Sequence, residues 1–332
     1  MDTFVPPVPL RLPVLITAFA RYDTTREVFR SVREARPPRL YFACDGPRTE
    51  EEREKCDRVR SLVELVDWDC EVFTLFHERN KGTKYGMAQN ITWFFDNEEE
   101  GIILEDDIVP AQSFYWFCQD VLEKYRDDER IWAIIGNNLI ADEETGDAHS
   151  YWLSAHGYGA YWGWASWRRS WKKFDVDMLE WPKVKDTPLI QDYFLAPSER
   201  KEGTFLFENT WNRNIPTAWD YQFDFAKVLD GAVNVIPNVN LCRNIGFGAG
   251  GTHTVSVHDV RNKDVIAEAR FPLRHPERLE VDLDKDLRYF EAFILPSRYS
   301  RWKMRVKKAL PDPLVRGVKP LVSGLQRKLG LH

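Results

Sequence analysis

Short apolar runs and longer amphipathic segments alternate through the first 136 residues. The apolar runs, rich in β-favouring residues, predict strands at 13–19, 39–45, 70–76, 101–104 and 131–136. The segments between them predict helices at 23–35, 49–66, 84–97 and 111–128, with Asp23 as the N-cap of the first. Strands separated by helices of this length favour an α/β fold with a mostly parallel sheet covered by helices on both faces.

Three acids follow the fourth predicted strand in "GIILEDDIVPAQSFYWF" (101–117). Ligands of such sheets bind at the carboxyl ends of the strands, where "CDGPR" (44–48) also lies. Adjacent carboxylates repel one another unless a cation is present. Carboxylate oxygens suit Mg²⁺ or Mn²⁺, which complete their coordination with phosphate oxygens. The pattern predicts a metal–phosphate site, and a solvated loop start is the alternative.

The second half loses the alternation and becomes dense in aromatic residues. The stretch "YWLSAHGYGAYWGWASWRRSW" (151–171) holds five tryptophans and three tyrosines. Aromatic residues at this density form either a rigid core layer or a platform on which a sugar ring stacks. Both interpretations stay open, for different residues. Contacts with the acceptor are expected in this stretch.

The composition is that of a globular enzyme, with 43% hydrophobic and 30% charged residues in a chain of 332. Residues 1–13 are proline-rich and lack the pattern of a signal peptide, and no apolar run reaches the roughly 18 residues of a membrane span. The five cysteines form no CxxC pair, which indicates free thiols in a reducing compartment. We therefore expect a cytoplasmic protein.

Positive charge concentrates at the C-terminal end. Residues 298–332 hold ten Lys or Arg and one acid, a net charge of about +9, which leaves about −15 on 1–297. The acidic body argues against nucleic acid as a partner. Apolar residues recur in 298–332 at near-helical intervals, so this tail is expected to lie at an anionic membrane surface. Packing on the main domain is the alternative.

Several stretches, taken together with their order along the chain, carry a resemblance to GT-A-fold glycosyltransferases. The motif "ILEDD" between a strand and a helix is similar to the metal-binding acidic motif of the N-acetylglucosaminyltransferase I group (family 13), and bacterial family-2-like transferases share the same marks. The other stretches are "TAFAR", "FACDGPR", "NKGTKYGMAQNITWFF", "WDYQF" and "NIGFGAGGTHT". The resemblance spans about 13–255. It implies one GT-A domain over 1–297, with a nucleotide-binding half at about 13–136 and an acceptor-side half at about 137–297.

The resemblance implies roles for five residues that contact the nucleotide sugar. Arg21 and Asp45 would hold the nucleotide, and Lys84 would lie near the diphosphate. Glu105 and Asp106 would accept hydrogen bonds from the ribose and the donor sugar. Each of the first three has a structural alternative: a surface arginine, a β-turn aspartate and an exposed lysine at a helix start.

By the same resemblance, Asp107 would coordinate Mn²⁺ or Mg²⁺ directly, with phosphate oxygens and water as further ligands. His253 in "GTHT" is a second candidate ligand, although a lone histidine in a loop is more often structural. The glycines of 246–251 predict a mobile loop over the donor. Asp220 in "TAWDYQF" matches the position of the catalytic base, and its alternative is a helix N-cap.

These features together predict a metal-dependent, inverting glycosyltransferase. It would move a sugar from a nucleotide-diphosphate donor, expected to be UDP-linked, to a glycan or lipid-linked acceptor at the inner face of the membrane. The alternatives are another metal-dependent phosphate-handling enzyme, such as a nucleotidyltransferase or phosphatase, and a non-catalytic sugar-binding protein.

Overall fold

A computed structural model describes residues 4–141, 148–156, 161–194, 196–247 and 266–294. Its strands are β1 (Val14–Ala18), β2 (Arg39–Cys44), β3 (Glu71–Phe76), β4 (Glu100–Glu105), β5 (Ile108–Pro110), β6 (Ile131–Ile135), β7 (Tyr151–Ser154), β8 (Trp164–Trp167), β9 (Val233–Pro237) and β10 (Cys242–Asn244). Its helices are α1 (Tyr22–Ala35), α2 (Glu50–Arg60), α3 (Gly82–Asn97), α4 (Ser113–Lys124), α5 (Arg168–Trp171), α6 (Trp181–Val184), α7 (Pro188–Gln191), α8 (Pro197–Trp211), α9 (Asp220–Asp230) and α10 (Leu283–Tyr289). A 3₁₀ turn (Ser61–Leu65) follows α2, and a π-helical turn (Phe290–Ile294) follows α10.

Eight strands form one sheet in the order β3-β2-β1-β4-β8-β6-β9-β7. Strands β3, β2, β1 and β4 run parallel, as do β6 and β9. Strands β8 and β7 run antiparallel to their neighbours. The predicted α/β fold, a mostly parallel sheet flanked by helices, is confirmed.

The sequence did not reveal two parts of this topology. Strand β8 comes from the aromatic stretch and inserts between β4 and β6. A short strand, β5, stands between the three acids and α4, and it pairs antiparallel with β10. Three-residue strands are too short to give a period in the sequence. The chain after the acids therefore does not enter a helix at once.

Helix ends also differ from the predicted ones. Asp23 is not an N-cap, because α1 begins at Tyr22 and its cap position is Arg21, whose carbonyl accepts from the Thr25 amide at 3.0 Å. The predicted helix 49–66 is α helical only to Arg60. Its N-cap is Thr49, whose hydroxyl accepts from the Glu52 amide at 3.2 Å.

The aromatic stretch contributes mainly to the core. Trp152, Trp164, Trp167 and Trp171 are all at most 5% exposed, so the core-layer interpretation holds for them. They pack on both faces of the sheet, against helices from both halves of the chain. Trp162 is only partly buried and is the tryptophan of this stretch that keeps an accessible face.

The five cysteines are free, as the sequence predicted, and four of them are buried. No helix in the described ranges is both long and apolar enough to cross a membrane. The tail 298–332 lies outside the described residues.

Candidate active site

The carboxyl ends of the parallel strands β1, β2 and β4 meet at one edge of the sheet. Arg21 follows β1, Asp45 follows β2, and Glu105 is the last residue of β4. Asp106 and Asp107 form the turn from β4 into β5. The sheet thus brings together predicted site residues that are up to 86 positions apart in sequence.

Arg21 binds the acidic cluster directly. Its Nη2 forms an ion pair with Asp106 Oδ1 and another, at 3.0 Å, with Asp107 Oδ2. Asp106 and Asp107 are both buried. Arg21 was predicted to bind the nucleotide. Its pairing with Asp106 and Asp107 was not predicted, because the segments after β1 and β4 become neighbours only through the pairing of these two strands.

One guanidinium does not neutralise three carboxylates. Burial, and then the charges of Asp107 and Asp106, raise the pKa of Glu105 well above its usual range. Burial and the charge of Asp106 raise the pKa of Asp107 to about 6, although Arg21 lowers it. Burial and mutual repulsion therefore favour the protonated forms of Glu105 and Asp107 more than in an exposed carboxylate.

A second chain segment closes on Asp107 from β10. The Ile245 amide donates to the Asp107 carbonyl at 2.8 Å. A Cβ on Gly246 would lie 2.2 Å from Asp107 Oδ2 and 2.9 Å from an Arg21 Nη1. A side chain there would displace the Asp107 carboxylate and the Arg21 guanidinium from this contact. The sequence indicated a mobile glycine loop, and Gly246 itself also allows this close approach.

Asp220 is the first residue of α9. Burial, and then the charge of Asp224, raise its pKa to about 7. Its own charge contributes to the raised pKa of Glu105, which places the two carboxylates within electrostatic reach. The N-cap position belongs to Trp219, so Asp220 is not the N-cap, although its Oδ1 accepts from the Tyr221 amide at 3.0 Å. A carboxylate with a pKa near 7 suits a general base.

Asp45 organises the turn between β3 and α3. Its Oδ1 accepts from the amides of Gly46 and Lys81 at 2.7 and 2.8 Å. Its Oδ2 accepts from Asn80 Nδ2 and the Gly82 amide at 3.0 and 3.1 Å. A turn role is therefore present, as its structural alternative proposed. The role in nucleotide binding stays a prediction.

Lys84 is buried on α3, so the alternative of an exposed lysine is wrong. Its Nζ lies 4.0 Å from Asp177 Oδ1, in the acceptor-side half. Burial lowers the pKa of the ammonium, which Asp177 partly offsets. Sequence patterns gave no signal for Asp177, which follows no strand and belongs to no motif.

Two predicted features lie outside the described residues: His253 and most of the glycine loop, 248–251. Within the described ranges, no group of three His, Cys, Asp or Glu side chains is arranged to hold a metal ion.

No family model matches the chain, and no curated protein does. The solved structures that resemble it include HddC from Yersinia pseudotuberculosis, the inositol-1-phosphate CTP transferase from T. maritima, and the apo form of mouse xyloside xylosyltransferase 1. Their identities are 9%, 9% and 10%, and their TM-scores 0.32, 0.30 and 0.32. The matches cover 53%, 49% and 66% of this chain, and 85%, 73% and 81% of the respective other chains.

These likenesses establish neither a family nor an activity. Membership of the N-acetylglucosaminyltransferase I group stays a prediction.

The raised pKa of Asp107 predicts a pH-dependent change in stability. Its folded-state pKa of about 6 exceeds the ordinary 3.8. The folded state therefore binds more protons than the unfolded state between these values, and stability falls as pH rises from about 4 to about 6. Asn cannot ionise, so Asp107→Asn should raise the free energy of unfolding at pH 7 by on the order of 1–3 kcal/mol. The gain should vanish near pH 4.

Urea unfolding at pH 4 and pH 7 measures this effect. Asp67→Asn is the control, because Arg33 lowers the pKa of the exposed Asp67 carboxyl, so its change should have the opposite sign and be small. Destabilisation of Asp107→Asn at pH 7 would contradict the electrostatic account of the cluster.

Proposed function

We propose that the protein is a metal-dependent, inverting glycosyltransferase that uses a nucleotide-diphosphate sugar. The observation that carries this proposal is the placement of Asp220. This carboxylate on α9 has a pKa of about 7, and its charge contributes to the raised pKa of Glu105 in the acidic cluster at the ligand edge of the sheet. Inverting transfer requires a base close to a cation site, since an acceptor must be deprotonated while a diphosphate leaves.

The donor set of the cluster fits Mn²⁺ or Mg²⁺. Both prefer oxygen ligands, and in phosphate-handling sites they take one or two carboxylates together with substrate phosphates. Burial and the charge of Asp106 raise the pKa of Asp107 more than Arg21 lowers it, which supports a bound cation at this carboxylate. Asp107 would hold the ion, with His253 as a further candidate, and the bound ion would supply charge neutralisation for the leaving diphosphate.

In the proposed reaction the side chains of this chain have distinct tasks. Asp220 accepts the proton of the acceptor hydroxyl as that oxygen bonds to the anomeric carbon from the face opposite the phosphate. The bond between the sugar and the phosphate breaks, and the nucleoside diphosphate leaves with the electron pair. Arg21 holds Asp106 and Asp107 side by side and adds positive charge near the diphosphate.

The remaining assignments follow the resemblance. Glu105 and Asp106 would accept hydrogen bonds from donor hydroxyls, Asp45 would bind the nucleotide, and Lys84 would lie near the diphosphate. A UDP-linked donor is the expected one.

Trp162 is the candidate for stacking against a sugar. It is partly exposed, and its ring meets that of Phe247 at 5.8 Å in an edge-to-face arrangement. The next residue, Gly163, lies beside Ile108 and Cys242 of the β5–β10 ribbon that follows Asp107. The partial exposure of Trp162 and the contact of its neighbour Gly163 with this ribbon support it as a surface on which a sugar ring would pack.

Incubation with a panel of nucleotide sugars and Mn²⁺ tests the proposed function. A glycosyltransferase, with acceptor present, releases an intact nucleoside diphosphate. Release of pyrophosphate when a sugar phosphate and a nucleoside triphosphate are supplied would instead identify a nucleotidyltransferase. Binding of sugar without any turnover would identify a non-catalytic sugar-binding protein.

The basic tail 298–332 is proposed to bind the inner face of an anionic membrane, close to a lipid-linked acceptor. Sedimentation should show more protein on anionic than on neutral vesicles, with a loss of binding at high salt because charges are screened. A chain that lacks residues 298–332 should lose the difference. Equal binding to both vesicle types would contradict membrane binding by the tail and favour the alternative, packing on the main domain.

A further inference from the structure

The two outer strands of the eight-stranded sheet, β7 and β3, differ in how far other residues cover them. At one edge, β7 is fully buried, and the segment that follows residue 280 covers it: the Asp282 amide donates to the Leu153 carbonyl at 3.0 Å. At the other edge, β3 pairs with β2, and within the described ranges no further strand pairs with it. Every residue of β3 except Leu75 is exposed.

Apart from the charge of Glu71 at its start, strand β3 lacks the features that protect an edge. Its sequence, EVFTLF, contains no Lys and no Pro, and its pairing with β2 runs in register without a bulge. Val72, Phe73 and Phe76 are 39%, 36% and 36% exposed. A regular, apolar, unprotected edge of six residues is a template for pairing with another strand.

The hydrogen-bond pattern shows which groups this edge offers. The Glu71 and His77 amides donate to the carbonyls of Pro38 and Cys44, so odd-numbered residues of β3 direct their backbone groups to β2. Alternate residues of a strand face opposite neighbours. The N–H and C=O groups of Val72, Thr74 and Phe76 therefore point away from the sheet.

The charges at the ends of β3 are complementary to each other in an antiparallel arrangement. Asp69 and Glu71 lie at its start and Arg79 lies beyond its end, all of them exposed. If a second copy pairs antiparallel with Thr74 opposite Thr74, Asp69 of each copy lies opposite Arg79 of the other. In that register Val72 lies opposite Phe76, and Phe73 lies opposite Leu75. Apolar pairs and opposite-charge pairs are the ones that stabilise neighbouring strands.

From this geometry we infer that β3 is a homodimerisation strand, which joins two copies antiparallel about a twofold axis at Thr74 and continues the sheet across the interface. The pairs of Thr74 with Thr74, and of Val72 with Phe76, are hydrogen-bonded pairs, so the interface gains about six backbone hydrogen bonds. Each copy presents the same patch to the other, as a twofold interface requires. The inference is independent of the proposed function.

The first test is the mass of the full-length protein in solution by sedimentation equilibrium over a range of concentrations. The wild type should associate to a dimer. Thr74→Pro removes an amide that points outward and leaves the ladder to β2 intact, so this variant should be monomeric with an unchanged circular dichroism spectrum. Thr74→Val keeps the amide and should remain dimeric. A wild type that is monomeric at all concentrations, or a Thr74→Pro variant that dimerises like the wild type, would overturn the inference.

A charge exchange tests the register. Asp69→Arg or Arg79→Asp alone should weaken the dimer, because each places like charges opposite one another. The double variant should recover the wild-type association. Failure of the double variant to recover would overturn the register with Thr74 at the axis.

Hydrogen exchange distinguishes a second copy from the chain's own residues as the occupant of this edge. The amides of Val72, Thr74 and Phe76 should gain protection as protein concentration rises. Protection that is independent of concentration and lost when residues 295–332 are removed would show that the chain covers its own edge, which would also overturn the inference.

Discussion

Asp220→Asn is expected to retain donor binding and to lose most sugar transfer. The amide keeps the shape of the side chain and removes its ability to take a proton. Loss of a positioned general base typically costs about 10²- to 10⁴-fold in rate. Turnover and nucleotide affinity should be measured separately on the same preparation. Turnover should fall, whereas the affinity for the nucleotide should stay close to that of the wild type.

The pH profile provides a second measurement of the same residue. The pKa of Asp220 is raised to about 7 by burial and by Asp224. A base acts in its deprotonated form, so wild-type turnover should fall as pH drops through about 7. The residual turnover of Asp220→Asn should not show this fall at low pH.

Asp230→Asn is the matched control on the same helix. Asp230 ends α9 and forms an ion pair with Lys173 at 2.7 Å, about 15 Å from Asp220 along the helix axis. Its turnover should stay close to that of the wild type. A loss in Asp220→Asn of less than about tenfold, well below the usual range for a general base, would assign proton removal to another residue.

Asp107→Ala is expected to abolish metal-stimulated nucleotide binding and metal-dependent turnover while the fold persists. The variant removes the carboxylate proposed to hold the ion, and it also removes a charge that its acidic neighbours disfavour. Its thermal midpoint should therefore not fall by as much as a core truncation would cause. Isothermal titration of the nucleotide, with and without Mn²⁺, measures the binding.

Glu100→Ala serves as the control for Asp107→Ala. Glu100 is the first residue of β4, at the end of the strand opposite the acidic cluster, and it forms an ion pair with Arg126 at 3.1 Å. It should keep the full stimulation by Mn²⁺. If Asp107→Ala retains that stimulation, the ion is held elsewhere, and His253→Ala becomes the next variant to titrate.

The alternation of strands and helices in the first half, and the position of the acids at the end of β4, could be predicted from the sequence. These features depend on burial along single segments, where the period of apolar residues is visible. The sequence also indicated Asp220 and the glycines near 246, through resemblance and composition. It misjudged Asp23 and the end of α2, because the ends of helices depend on hydrogen bonds that composition describes poorly.

Which of these residues lie in contact depends on the tertiary structure. The ladder of β1 and β4 brings Arg21 onto Asp106 and Asp107, and the β5–β10 ribbon presses Gly246 against them. The insertion of β8 turned most of the aromatic stretch into core and left Trp162 partly exposed. Each of these contacts joins segments that are far apart in the chain. Local periodicity carries no information about such pairings, because they are set by how whole elements pack.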